Sequence, residues 1–282
     1  MTYRREFIGE ALGTFVLVLF GCGSVAVSVL FNAHQGLMQA ALAWGIGVTL
    51  AIYLTRHLSC AHLNPAVSLA MVVSGRMSAR KMPVYIAAQF TGAILAGLTL
   101  YLLFAPSITA YEQAHGIMRG TAESVKTAMM FGEYYPNPGT TAIVSMPLAM
   151  CAEAFGTFLL VLMIFALTEG CNVGRPDNAL APVFIGLTVT SIICLLAPLT
   201  QAGLNPARDF GPRLIAWFTG WGDTAFPDRI GGFFHVYILA PLAGGMIAAL
   251  FFVRILETAM KHPSSCCDCQ AEKLKSTKGK KR

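Results

Sequence analysis

Charged residues in this chain bunch together and leave six long apolar stretches between them. Residues 37–55, 82–104, 178–207 and 230–253 contain no Asp, Glu, Lys or Arg, while 7–31 carries only Glu10 and 141–168 only Glu153. A hydrocarbon core about 30 Å thick is crossed by about 20 residues of helix. The pattern therefore predicts an all-α membrane protein with six transmembrane helices. Two intervening segments, 64–74 and 205–218, are too short to cross. Each opens on Asn-Pro-Ala, at Asn64 and Asn205. Asn is a favoured N-cap, and Pro at the first helical position lacks only an N–H that would have no intrahelical partner. Each turn thus predicts a helix start. A helix of about ten residues is about 15 Å long, so each would reach halfway and re-enter.

The order of these elements repeats. Glu10-Ala-Leu-Gly-Thr-Phe-Val-Leu-Val18 matches Glu153-Ala-Phe-Gly-Thr-Phe-Leu-Leu-Val161, and His62-Leu-Asn-Pro-Ala66 matches Gly203-Leu-Asn-Pro-Ala207. Each half, about 7–104 and 142–256, holds three spans. Three is odd, so the second half must lie inverted relative to the first. Inverted repeats place a site at the midplane where they meet, with the two half-helix N-termini facing each other. The segments before the turns, 59–63 and 200–204, cannot be helical, and irregular backbone at that depth must line a cavity or be buried. Two positive helix ends at the middle of a pore repel cations and protons, and the Asn64 and Asn205 amides can donate to a passing hydroxyl.

Composition agrees with this outline. The 282 residues are 55% hydrophobic and 12% charged, about half the charge of a typical soluble domain, and mean hydropathy is +0.62. Arg4 and Arg5 precede the first apolar run, which is too long for a signal sequence and lacks a cleavage site, so it reads as a retained span. With the N-terminus inside, 15 of the 20 Lys and Arg fall on the cytoplasmic side, as the positive-inside rule requires; Arg119, Lys126 and Arg229 fall outside. Topology and a Lys-rich tail account for the net +6, and no nucleic-acid partner is needed. Residues 105–140 read as one long outer loop. The chain divides into a membrane domain, 1–260, and a polar, basic, disordered cytoplasmic tail, 261–282. Cys22, Cys60, Cys151 and Cys194 lie in or beside apolar runs and act as small hydrophobes. Cys266, Cys267 and Cys269 in the tail read as reduced thiols, with a metal or lipid site as the alternative.

The paired Asn-Pro-Ala motifs, the repeated Glu-Ala-x-Gly-Thr-Phe blocks and the run Asn205-Pro-Ala-Arg-Asp-Phe-Gly-Pro-Arg213 resemble the aquaporin (major intrinsic protein) family, within it the glycerol facilitators, or aquaglyceroporins. The resemblance runs from Phe7 to about Arg254. It implies a homotetramer with one pore per subunit, in the cell membrane, with both termini cytoplasmic. It also implies that Glu10 and Glu153 hold the re-entrant loops through backbone N–H groups, and that His62 lines or braces the cytoplasmic half.

Arg208 lies one helical turn beyond Asn205 and on the same face. A charge inside the membrane is costly and marks function. In the family this is the filter arginine, and Trp44 matches the filter aromatic, an apolar wall suited to a polyol. Asp209 and Arg213, Pro241-Leu242, and Phe104 at the end of span three point to the glycerol branch; Asp209 and Arg213 also suit an i,i+4 ion pair. Two positions depart from the facilitator pattern. Ala202 stands where an aromatic is usual and Ile193 where glycine is usual. The set Trp44, Ile193, Ala202 and Arg208 is similar to some plant nodulin-26-like channels. The resemblance implies a passive channel for glycerol and similar small uncharged solutes, with water, that excludes ions.

Rival classes fare worse. A secondary transporter needs a titratable coupling acid, and the intramembrane acids are only the paired glutamates and Asp209. A membrane enzyme needs a nucleophile and base or a metal set, and neither HExxH nor GxSxG occurs. No cofactor is expected. The partners are a small polyol, water and membrane lipid.

Overall fold

Helices form where the apolar runs predict them, and two short ones start at the Asn-Pro-Ala turns. The computed structural model describes residues 2–34, 36–226 and 231–261. In chain order the elements are α1 (Thr2–Phe31), α2 (Leu37–Ser59), the half-helix α3 (Pro65–Val73), α4 (Met82–Ala114), the short α5 (Val125–Ala128), α6 (Met146–Thr168), α7 (Ala181–Thr200), the half-helix α8 (Pro206–Ala216), α9 (Ala240–Phe251) and α10 (Glu257–Lys261). A π turn at Phe234–Leu239 leads into α9, and another at Phe252–Leu256 joins it to α10. Together these make a sixth span, Phe234–Lys261. Among the described residues, six helices are long and apolar enough to cross a membrane. The chain is a multi-pass membrane protein.

The repeat seen in sequence is also a repeat of contacts. Within the first half α1 packs on α2 and α4; within the second α6 packs on α7 and α9. The halves meet where α2 crosses α7, and each half-helix packs on the last span of the other half, α3 on α9 and α8 on α4. The α2–α7 crossing is as close as backbone allows. A Cβ on Gly45 would run into the Gly186 carbonyl and Thr190, and one on Gly186 into the Gly45 carbonyl and Thr49. Without a hydrophobic drive between helices in lipid, such small-residue contacts are what bring spans together.

Two stretches differ from the sequence expectation. Residues 105–114 are not loop: α4 runs through Pro106 to Ala114, because Ile108 is fully buried there and Glu112 is held by Arg119 and Thr127. What remains of the loop folds back over this end of the molecule. The Arg119 guanidinium stacks 4.1 Å from the Trp221 ring centroid, and Trp221 Nε1 donates to Thr127 Oγ1 at 3.0 Å. Lys261 closes α10 and pairs with Glu257 at 2.8 Å; the rest of the predicted tail, with Cys266, Cys267 and Cys269, lies outside the described residues, as does Arg229. Below, the face carrying α1's first turn and α10 is the terminal face, and the opposite one the loop face.

Gly186→Leu should overpack the crossing. Such insertions typically cost about 1–3 kcal/mol. The expected outcome is a lower unfolding midpoint and less monodisperse protein in detergent, with Gly36→Leu, which meets nothing, as the unaffected control.

Candidate functional site

The site grows from two strained turns. Cys60, Ala61 and Leu63 adopt positive φ (67°, 53° and 56°), and Gln201, Ala202 and Leu204 repeat the pattern (62°, 61° and 56°). None of the six is glycine, so each carries a local cost of about 1–2 kcal/mol. What offsets it is a buried carboxylate behind each turn. Glu10 accepts from the N–H groups of His62 (2.9 Å) and Leu63 (2.7 Å), from Ser59 Oγ (2.7 Å) and from Gln89 Nε2 (2.7 Å). Glu153 accepts from the N–H groups of Gly203 (2.9 Å) and Leu204 (2.7 Å) and from Thr200 Oγ1 (2.6 Å). The Ser59 and Thr200 carbonyls accept from the Tyr85 (2.6 Å) and Tyr237 (3.0 Å) hydroxyls; with the N–H groups turned back into protein, the carbonyls between these and the Asn-Pro-Ala turns face the other way.

They face a cavity of about 490 Å³. It runs from Arg56, Arg76, Thr168 and Asn178 at the terminal face, past Cys60–Asn64 and Ala202–Asn205, to Trp44, Ile193 and Arg208. The two Asn-Pro-Ala turns meet in it and bind each other. Asn64 caps α3 by accepting from Ala66 N–H, and its amide donates to the Leu204 carbonyl at 2.9 Å. Asn205 caps α8 by accepting from Ala207 and Arg208 N–H, and donates to the Leu63 carbonyl at 2.7 Å. Each amide has two N–H donors, and one of them is left for the lumen. His62 also lines the cavity; its Nδ1 is 3.2 Å from Ser68 Oγ, which in turn accepts from Gln89. His62 thus belongs to the same network as Glu10.

Trp44, Ile193, Ala202 and Arg208 converge at the inner end of this cavity. The Arg208 guanidinium lies over the Trp44 ring, 3.9 Å from its centroid, and both side chains are buried. Two residues expected at the solute stand elsewhere. Phe104 packs on Phe31, ring centroids 6.2 Å apart, because the outward turn of α4 carries it to the α1 interface. Asp209 faces away from the lumen and takes a two-pronged ion pair from Arg213, Nε to Oδ2 at 2.8 Å and Nη2 to Oδ1 at 2.9 Å.

That pair grips a residue that sequence reading passed over. Asp209 Oδ1 accepts from the N–H of Glu133 at 2.8 Å, and Arg213 Nη2 donates to the Glu133 carbonyl. The next N–H, of Tyr134, is taken by Gln201 Oε1 at 2.8 Å. So held, Glu133 turns its carboxylate onto the Arg208 guanidinium, the two side chains only 4% and 3% exposed. The sole signal in sequence was an acid just ahead of Tyr134-Tyr-Pro-Asn-Pro138 in an otherwise uncharged part of the loop.

The comparisons with known proteins agree with this geometry. The family model described as "Major intrinsic protein" matches residues 1–252. The chain belongs to the major intrinsic protein family. This member is 37% identical to the glycerol uptake facilitator protein of Pseudomonas aeruginosa over 273 residues, covering 96% of each chain. It is 38% identical to that of Escherichia coli (strain K12) over 276 residues, 98% of this chain and 95% of that one. A propanediol uptake facilitator from Citrobacter freundii is 39% identical over 250 residues, 88% of this chain and 91% of the other. Among solved structures, the aquaglyceroporin from Plasmodium falciparum superposes with a TM-score of 0.80 at 27% identity, covering 93% of this chain and all of that one.

Removing one partner of a buried ion pair typically costs about 3–5 kcal/mol, since it strands the other charge. Arg213→Met should therefore unfold at a much lower temperature than wild type. Exchanging both residues, as Asp209→Leu with Arg213→Met, should recover much of that stability while freeing the 131–134 segment to proteolysis. Glu153→Ala should be worse still. It strands the Gly203 and Leu204 N–H groups, each at about 1–3 kcal/mol, and solute flux in liposomes should vanish with the fold.

Proposed function

We propose that this major intrinsic protein is a passive channel for glycerol and similar small uncharged solutes, with water, that excludes ions and protons. The observation that carries the reading is the two-sided character of the cavity. One wall is apolar, with Trp44, Val48, Ile52, Ile185 and Val189. The other is the pair of re-entrant segments, with their carbonyls, the two Asn amides and Arg208. A polyol has carbon on one side and hydroxyls on the other, and it can slide along such a surface exchanging one hydrogen bond for the next. The names of the relatives, glycerol and propanediol uptake facilitators, support the same solute class.

Ion exclusion follows from the two half-helices, whose positive ends meet at Asn64 and Asn205. A coupled transporter finds no support. Glu10, Glu153 and Asp209 are all tied to protein donors and none lines the cavity. The terminal face, with Arg4, Arg5, Arg56, Arg76, Arg80 and Lys81, is on this reading the cytoplasmic one. The working unit is a homotetramer in the cell membrane, as the family implies, with the exposed apolar side chains of the spans meeting lipid or a neighbouring subunit.

Reconstituted in liposomes, the protein should speed reswelling in glycerol well above empty vesicles, and the rate should stay the same after ion gradients are collapsed. Water flux without any glycerol effect would sink the solute assignment, and gradient dependence would sink the passive mechanism. Ala202→Phe refills the wall left open at the narrow end. It should slow polyols of four or more carbons at least severalfold more than water, as read by stopped-flow light scattering; equal slowing of both would remove Ala202 from the filter.

A further inference from the structure

The cavity has a one-sided charge inventory. Three arginines line it, Arg56, Arg76 and Arg208, and among the described residues no aspartate or glutamate does. Arg76 is answered outside the lumen by Glu169 and Glu257, whereas Arg56 donates only to the Asn178 carbonyl. Two positive helix ends, of α3 and α8, add to this at the centre. Such a field repels cations along the whole path and attracts anions. In a medium where charges are poorly screened, something must oppose the second effect. Acids that could do so are engaged elsewhere: Glu10 and Glu153 behind the turns, Asp209 with Arg213. Glu133 is the exception. Among the described residues it alone is turned onto Arg208 at the inner end of the cavity, held there by both its N–H and its carbonyl.

We propose that Glu133 is the anion barrier of this channel, its carboxylate cancelling the charge of Arg208 at the narrowest point. The proposal rests on reading Trp44, Ile193, Ala202 and Arg208 as that narrow point. The division of labour is then explicit. The helix ends keep cations out, Glu133 keeps anions out by neutralising Arg208, and an uncharged polyol is the solute that neither rejects. Glu133 acts through Arg208 and is a positioning residue. Asp209 and Arg213 extend the arrangement, since their ion pair fixes the backbone that presents the carboxylate.

The test is nitrate current across planar bilayers, with water flux in matching liposomes to report a folded, open channel. Wild type at pH 8 should pass glycerol and water and only a trace of nitrate. Glu133→Gln keeps the shape and removes the charge; its nitrate current should exceed wild type at least tenfold, with no rise in potassium current. Adding Arg208→Gln to that variant should return nitrate to the wild-type level. Burial pushes the Glu133 carboxyl up to about 7 against the opposing pull of Arg208. The groups that face it are Arg208, Asp209 and Arg213 of α8, Tyr134 of its own loop, Cys22 of α1 and Tyr237 of the sixth span. A carboxyl raised in this way is charged above that pH and neutral below it. Wild-type nitrate current should therefore rise as pH falls from 8 to 5, and the rise should be absent in Glu133→Gln. His115→Gln, exposed at the end of α4 and outside the cavity lining, should leave the midpoint in place. A Glu133→Gln channel that carries water and no more nitrate than wild type overturns the proposal. Should that variant carry no water either, a flat wild-type profile from pH 8 to 5 overturns it instead. Loss of glycerol flux in wild type with water retained would revise the solute and leave the nitrate comparison standing.

Discussion

In the hydrocarbon core of a membrane no water is available to an unpaired peptide group, and each N–H or C=O left alone there costs several kcal/mol. Every other feature of this molecule follows from how that constraint is met at the two places where helices stop midway. The segments before Asn64 and Asn205 have no helix of their own. Six of their residues are non-glycine in the left-handed region, a conformation that turns successive peptide groups in opposed directions. Glu10 and Glu153 gather the N–H groups on one side. The carbonyls are thereby committed to the other side, and a solute path results. The cross-bonds from Asn64 to the Leu204 carbonyl and from Asn205 to the Leu63 carbonyl mean that neither repeat can satisfy its backbone alone.

Scaffold and selectivity divide along the symmetry of the repeat. Positions 141 residues apart that do structural work are alike: Gly45 and Gly186 at the crossing, Ser59 and Thr200 on the carboxylates, Asn64 and Asn205 at the caps. Several positions around the two turns differ. Val67 stands where the second repeat has Arg208, Ser68 where it has Asp209, and His62 where it has Gly203. Ser68 joins His62 and Gln89 into a neutral network around Glu10, whereas Asp209 joins Arg213 and Glu133 into a charged one. Next to the half-helix starts, the second repeat thus carries the charged network and the first the neutral one. The inverted repeat brings the two turns together, and the halves differ in the charge they place beside them.

The loop between α4 and α6 is in this light tied to the cavity through the Glu133–Arg208 pair. Loops carried by a rigid scaffold commonly hold functional residues. This one is held at two points: through Arg119, Glu112 and Trp221 at its start, and through Asp209, Arg213 and Gln201 at its end. Glu133 lies between those anchors and Arg208. Its carboxylate is buried, so its placement is a property of the whole loop-face assembly.

What the sequence determined by itself was everything that depends on neighbours along the chain. Apolar run length fixes the spans, Asn followed by Pro fixes the half-helix starts, and a repeat of odd span number fixes the inversion. Trp44, Ile193, Ala202 and Arg208 were legible as a set through the resemblance to the family, which matches each of them to a filter position. The tertiary structure decided what depends on the direction of a side chain and the path of a loop. Phe104 turned toward Phe31, and α4 continued past Pro106 because its last turns had partners to bury against; the Asp209–Arg213 pair, four residues apart on one helix, was already legible. Above all, Glu133 reached Arg208 from 75 positions away in sequence. No local pattern encodes that contact: it exists only once two backbone hydrogen bonds from an ion pair on another helix have fixed where the loop lies.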